Sequence, residues 1–310
     1  MRVVVTGGAG FIGANLCKQL LADGDEVVVL DDLSTGDRRN LEGLHVELHE
    51  GSILDRNALD QVLPGADSVV HLAALVSVPW SVEDPFDNHA RNATGTLEVL
   101  MAARRAGVDH VVVASSAAVY GANPELPKHE RMAVAPMTPY AVSKVATEEY
   151  AIAFAHCYAM RTIAFRFFNV FGPLQPADHA YAAVIPAFVD AAVAGRALPL
   201  EGDGSQTRDF IYVGTVARVL AEAVHRGVSH LEPVNLALGG RTSLKELIAE
   251  IERGLGRPVE IDRRPARVGD VPHSQADATS LKTLFPDVEP VPIEQGLRET
   301  VQWFLDEAAR

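Results

Sequence analysis

Apolar and polar positions along this chain follow two different periods in alternating blocks. Short β-branched runs at 2–5, 26–30, 46–49, 68–72, 110–114 and 161–167 have the length and composition of strands. Between them, at 14–22, 58–63, 93–106 and from Tyr140 onward, apolar residues fall three and four apart, which predicts amphipathic helices. Strand and helix in alternation predict an α/β fold, a Rossmann-type doubly wound parallel sheet. After Pro173 the rhythm weakens. Residues 174–188 read as an excursion with proline and small residues, and 184–194 as helix. The segment 207–212, a helix at 213–225 and a strand at 233–236 are expected to rejoin the sheet. Beyond them come a helix at 244–255 capped by Ser243, a strand at 259–262 and an amphipathic helix at 293–307. The expected organisation is a sheet unit of residues 1–170 and 207–236, with a smaller discontinuous α/β unit of 171–206 and 237–310 closing over the carboxyl ends of its strands.

The first strand runs into Thr6-Gly7-Gly8-Ala9-Gly10-Phe11-Ile12-Gly13 and then a helix. Strand, glycine turn and helix in this order suit a pyrophosphate, because the backbone must approach it closely at a helix N-terminus. The second strand ends at Asp31, eighteen residues after Gly13. A carboxylate there accepts hydrogen bonds from an adenosine ribose and opposes a 2′-phosphate, which predicts NAD rather than NADP. Three strand ends carry small or polar residues: Ala73-Ala74, Ser115-Ser116 and Phe168-Asn169. His71 lies inside a strand and reads as a satisfied core histidine. In a helix, Tyr140 and Lys144 share one face, and a cation beside a phenol favours phenolate. No His, Cys or carboxylate grouping has metal spacing, so no metal is expected.

Charge narrows the partners. With 27 basic and 41 acidic residues the net charge is −14, which disfavours nucleic acid and anionic membrane surfaces and means that an anionic ligand needs a local cationic site. Cys17 and Cys157 are too few for a disulfide framework, and both fall in apolar helical patterns that suggest core positions in a reducing compartment. The first apolar run is too short for a signal-peptide core and no run approaches a membrane span, so a soluble, cytoplasmic protein is expected.

Taken together, TGGAGFIG, LDDLSTG, HLAA, SSAAVYG, YAVSK, RFFNVFGP, GDGSQTRDF and RVGDVPHSQAD resemble an extended short-chain dehydrogenase/reductase of the NAD-dependent sugar-nucleotide epimerase type, over essentially the whole chain. The resemblance implies that Gly7, Gly10, Phe11, Ile12 and Gly13 surround the pyrophosphate of NAD and that Asp31 holds its adenosine ribose. It implies Ser52 and Ile53 against the adenine, although relatives usually carry Asp-Ile there. Ala73, Ala74, Leu75 and Phe167 would line the cofactor cleft. Ser116 matches the active-site hydroxyl, Tyr140 the base, and Lys144 the residue that holds the nicotinamide ribose and lowers the tyrosine pKa. Asn169, Arg208, Arg267 and Asp270 match contacts to a nucleotide diphosphate, with Asp270 on the nucleoside side; the alternative for Arg208 is a salt bridge to Asp209 or another surface carboxylate. Ser77 and Ala117 would border the sugar pocket, as would Ala118. Gly214-Thr215 stands where relatives commonly have two aspartates. Relatives commonly form homodimers through the Tyr-Lys helix and the helix before it; the apolar faces of Leu97, Leu100 and Met101, with Ala151, Phe154 and Ala155, allow this, and a core-facing role explains several of them equally well.

The implied reaction is 4-epimerisation of a UDP-hexose through a transient 4-keto intermediate. A 4,6-dehydratase of the same family would need an Asp-Glu pair after the active-site hydroxyl, where this chain has Ala117-Ala118. A dehydrogenase with exchangeable cofactor shares Tyr140 and Lys144, and a non-enzymatic NAD-binding module would not need the intact trio. Ser274 occupies the position whose bulk limits the C2 substituent in related epimerases. Its small size leaves UDP-GlcNAc and UDP-GalNAc beside UDP-glucose and UDP-galactose, and the UDP-glucuronate/galacturonate pair stays open.

Overall fold

The computed structural model describes residues 1–177, 183–265 and 272–309. Its strands are β1 (Arg2–Thr6), β2 (Glu26–Asp31), β3 (Glu47–Glu50), β4 (Ser68–His71), β5 (His110–Ser116), β6 (Arg161–Phe167), β7 (Asn169–Phe171), β8 (Leu198–Glu201), β9 (Thr207–Arg208), β10 (Phe210–Tyr212), β11 (Val234–Leu236), β12 (Thr242–Ser243) and β13 (Ile261–Arg264). Its helices are α1 (Phe11–Ala22), α2 (Arg56–Val62), α3 (Val78–Glu83), α4 (Pro85–His89), α5 (Gly95–Ala106), α6 (Pro139–Tyr158), α7 (Val184–Val193), α8 (Val213–His225), α9 (Leu244–Leu255), α10 (Thr279–Leu284) and α11 (Ile293–Ala308).

Seven strands form one parallel sheet in the order β11-β6-β5-β4-β1-β2-β3. Valines dominate its centre. Val3 to Val5, Val28 to Leu30, Val69, Val70 and Val111 are fully buried, because apolar clusters cover both faces of a parallel sheet. One cluster packs α1 and α8 on the sheet, through Leu16, Leu20, Val216 and Leu220. The other packs α2, α5 and α6, through Leu59, Leu100 and Phe154. Strand order reverses beside β1, which directs a ligand cleft to the carboxyl ends of β1, β4, β5 and β6.

The carboxy-terminal region departs from expectation. Val234–Leu236 joins the sheet, but 207–212 does not. Thr207–Arg208 pairs antiparallel with Thr242–Ser243, and Phe210–Tyr212 pairs parallel with Asn169–Phe171. The physical reason is aromatic. Phe171 lies 6.2 Å from Phe210 and 5.7 Å from Tyr212 between ring centroids, and all three join a third apolar cluster with α7, α9 and α11. The strand expected at 259–262 is shifted to Ile261–Arg264, where it pairs with β8.

One smaller correction concerns a side chain. Cys17 is buried, but Cys157 is exposed near the end of α6. Of the residues open to either a dimer contact or a core-facing role, Leu100, Ala151 and Phe154 take the core-facing role. At 214–215 the α8 N-terminus has no side-chain cap; Thr215 is buried, and its hydroxyl accepts from Val291 N at 2.9 Å.

Candidate active site

The glycine turn is shaped by close backbone contacts. Gly7 has φ +72°, and a Cβ on it would lie 2.6 Å from Ala73 N; one on Gly13 would lie 2.1 Å from the Gly7 carbonyl oxygen. Only glycine lets β1, α1 and the β4 end meet at these distances. Gly10 opens α1 without a side-chain cap, leaving the first turn available to an anion. Asp31, 7 % exposed, accepts from Ala9 N and Leu33 N, each at 2.9 Å. Burial pushes its carboxyl pKa up, against those two N–H groups. Two bonds leave acceptor capacity on the carboxylate for ribose hydroxyls.

At the ends of β5 and on α6, Ser116, Tyr140 and Lys144 line the same cleft. Thr138 caps α6 by accepting from Ala141 N at 3.2 Å, and Pro139 occupies its first turn. Tyr140 and Lys144 are 6 % and 4 % exposed. The Lys144 ammonium donates to the Ala114 carbonyl at 2.9 Å. Its pKa is pushed down by burial to about 8, with Glu148 opposing. Tyr140 departs from expectation. Burial raises its pKa, and a hydrogen bond with Ser116 acts the other way. The ammonium lies 5.9 Å from the ring centroid and is engaged by Ala114, so desolvation outweighs any help it gives the phenolate.

Tertiary contacts reveal positions that spacing alone did not. A π turn over Ala90–Thr94 joins α4 to α5 and brings buried Asn92 against the β4 end. Asn92 Oδ1 accepts from Leu75 N at 2.7 Å, and Nδ2 donates to Leu75 O at 3.2 Å and Ser143 Oγ at 3.0 Å. His71 does read as a core histidine: Nδ1 meets Thr6 Oγ1 at 2.7 Å and Nε2 meets Thr96 Oγ1 at 3.2 Å. Burial lowers its pKa to about 3. Glu148 and Arg166 form a buried pair at 2.8 Å behind Ser115, which donates to Glu148. The only sequence trace of these contacts is a polar residue in an otherwise apolar stretch.

One continuous cleft of about 2530 Å³ gathers Gly7, Gly10, Phe11, Ile12, Gly13, Asp31, Ser52, Ile53, Ala73, Ala74, Leu75, Ser77, Ser116, Tyr140, Lys144, Phe167, Asn169 and Arg208. A single small-molecule pocket is roughly 300–1,000 Å³, so this cleft has room for a dinucleotide and a second ligand. Ala117 and Ser274 are not among its lining residues. Ala117 opens a 3₁₀ turn after Ser116, and Ser274 N donates to Thr207 O at 3.0 Å. Arg267 and Asp270 lie outside the described residues. Arg208 donates to Thr207 O at 3.0 Å, whereas the Asp209 carboxylate is held by backbone N–H groups, so of the alternatives for Arg208 the pair with Asp209 does not form. The described residues contain no group of three or more metal-ligating side chains, and no helix is long and apolar enough to cross a membrane.

A parallel sheet with a glycine turn at its switch point and a Ser-Tyr-Lys grouping at the β5 end defines a dinucleotide-dependent enzyme of the short-chain type. The chain belongs to the NAD dependent epimerase/dehydratase family, whose pattern matches residues 3–237. It is 37% identical over 314 residues to the UDP-glucose 4-epimerase of Mycolicibacterium smegmatis, covering 99% of this chain and 100% of that protein. Among solved structures, the UDP-N-acetylglucosamine 4-epimerase from Methanobrevibacter ruminantium, in complex with UDP-N-acetylmuramic acid, superposes with a TM-score of 0.93 at 36% identity, over 99% of this chain and 98% of that one. The Thermus thermophilus UDP-glucose 4-epimerase in complex with NAD gives 0.86 at 35% identity, over 98% and 99%. NAD is the cofactor of this family, and the Gly7–Gly13 cradle and the carboxylate of Asp31 fit it.

Proposed function

We propose that this protein catalyses 4-epimerisation of a UDP-hexose: UDP-glucose/galactose, UDP-GlcNAc/GalNAc or UDP-glucuronate/galacturonate. The observation that carries the reading is the meeting of Ser116, Tyr140 and Lys144 in one cleft with Asn169 and Arg208. Gly7, Gly10, Phe11, Ile12 and Gly13 would hold the pyrophosphate, Asp31 the adenosine ribose and Lys144 the nicotinamide ribose. Tyr140 would take the proton from the C4 hydroxyl, with Ser116 hydrogen-bonded to the same oxygen, and return it after the sugar turns over. The chemistry that bound NAD would supply at C4 is reversible hydride acceptance, with no net redox change over the turnover. Asn169 and Arg208 would anchor the diphosphate, joined by Arg267 and Asp270.

Dehydration is the second reading, because the family's name includes it. It needs a further acid and base near C5 and C6. Of the carboxylates lining the cleft, Asp31 ends β2, Asp32, Asp37 and Glu42 follow it, and Asp190 and Glu307 lie on α7 and α11, while the two residues directly after Ser116 are Ala117 and Ala118, which cannot transfer a proton. This favours epimerisation. We also read the third apolar cluster as the heart of a substrate-binding unit, and the protein as a homodimer using outward residues of α5 and α6. Sedimentation analysis tests the latter.

The deciding experiment is NMR of purified protein with each of the six UDP-sugars, with and without added NAD. A 4-epimer reaching equilibrium without NADH accumulation supports the proposal and names the sugar. A released keto product or stoichiometric NADH refutes it.

A further inference from the structure

Asp209 lies where four segments of the substrate side meet, yet it does not line the cleft. It is fully buried. Its carboxylate is held by backbone N–H groups: Leu238 N donates to Oδ1 at 3.3 Å, and Gly239 N and Ala276 N to Oδ2 at 2.9 and 3.1 Å. Its own carbonyl accepts from Asn169 Nδ2 at 3.1 Å. Arg208 precedes it in the chain, and Phe210 after it pairs with Asn169 in the β7–β10 ladder. The returning segment is tied to the same strand. Thr207 N donates to Pro272 O at 3.0 Å, and Ser274 N to Thr207 O at 3.0 Å.

These contacts share one logic. A carboxylate is acceptor-only, so both oxygens can face N–H donors from β11's exit and from Ala276 at once. An amide would turn one acceptor into a donor against those N–H groups, leaving buried polar groups unpaired. Asn169 and Arg208 are the proposed diphosphate contacts in the described chain, and the 272–276 segment carries the chain onward from Arg267 and Asp270. Asn169 and Ala276 bond to Asp209, and Pro272 and Ser274 to Thr207 two residues before it.

We infer that Asp209 is a positioning residue for the nucleotide-diphosphate end of the cleft, setting Asn169, Arg208 and the 272–276 segment in one register without touching substrate. The inference rests on the proposed reading of that end.

The test is calorimetric titration of UDP and, separately, of NAD into wild-type protein, Asp209→Asn and Thr207→Val, with steady-state kinetics on the active sugar. Thr207→Val removes only the hydroxyl that meets His273 Nδ1 at 2.9 Å and Arg241 Nε at 3.4 Å. Asp209→Asn is expected to weaken UDP binding about tenfold or more and raise KM, with kcat within about threefold and NAD affinity unchanged, since only ground-state binding is lost. Thr207→Val should weaken UDP binding by about threefold. Unchanged UDP affinity in folded Asp209→Asn, or a parallel loss of NAD affinity, overturns the inference. If Asp209→Asn does not fold, Asp209→Ser, which removes the carboxylate but keeps a small acceptor at the same position, is read by the same criterion. A wild-type protein that binds NAD but not UDP would instead sink the reading of the site, and this inference with it.

Discussion

Lys144 faces the ring of Tyr140 from 5.9 Å while its ammonium is bonded to the Ala114 carbonyl. The two groups are thus neighbours in one buried site, with pKa values displaced apart by the same burial: the lysine down to about 8, the tyrosine up from its ordinary value less the help of Ser116.

The pH dependence of turnover follows from Lys144. As pH rises through about 8, Lys144 loses its charge, and with it the field that favours phenolate and the donor for a ribose. kcat should therefore fall on the alkaline side with an apparent pKa near that value. Lys144→Met should cost on the order of 10²–10⁴ in kcat and abolish that limb. Rates measured from about pH 6 to pH 10 check this; a wild-type profile flat across the whole range would contradict it.

Tyr140→Phe should reduce turnover by about 10² to 10⁴ while leaving NAD bound, because a ring of the same shape is kept and only the proton carrier is removed. Retained turnover in this variant would remove tyrosine from the role of base.

His71 predicts an acid-sensitive fold. Its folded pKa of about 3 lies below the unfolded value of about 6.5, so the unfolded chain binds the extra proton between these limits. Stability is full above pH 6.5 and is lost as pH falls toward 3. Between pH 7 and pH 5 the loss is on the order of 2 kcal/mol. Urea unfolding at both pH values should show it, and His71→Asn should lessen the difference by about one proton's worth. An equal difference in the variant would assign the acid loss to other groups.

Gly13→Ala puts a methyl group 2.1 Å from the Gly7 carbonyl oxygen. Backbone must move, at a cost of about 1–3 kcal/mol or more, and NAD affinity should fall with it. Thermal denaturation and NAD titration test both effects; a stable variant that binds NAD normally would show that the turn tolerates a side chain.

Asp31→Ser removes the charge that opposes a 2′-phosphate, together with the bonds to Ala9 N and Leu33 N. NAD affinity should drop about tenfold while the NADP/NAD preference shifts toward NADP. Competitive titration with the two cofactors measures it, and an unaltered preference would take Asp31 out of cofactor selection.

Much of this architecture is local and was legible in the chain. Val3 to Val5, the glycine turn and Asp31 follow one another within a single βα unit, so their spacing alone implies their meeting. Tyr140 and Lys144 lie one helical turn apart, and a period of 3.6 residues brings them to one face. What tertiary structure decided is everything that depends on the surroundings. Tyr140's raised pKa comes from the depth of its burial, which no four-residue motif records. Phe210–Tyr212 left the main sheet because Phe171 offers an aromatic partner, and Asn92 reaches Leu75 and Ser143 through a π turn that apolar periodicity does not reveal. Asp209 looked like a partner for the arginine beside it, but backbone N–H groups from residues 29 to 67 positions away claim its carboxylate. Local spacing determines which side chains share a face; desolvation and long-range hydrogen bonding determine what each can do there, and these exist only once the chain has folded around them.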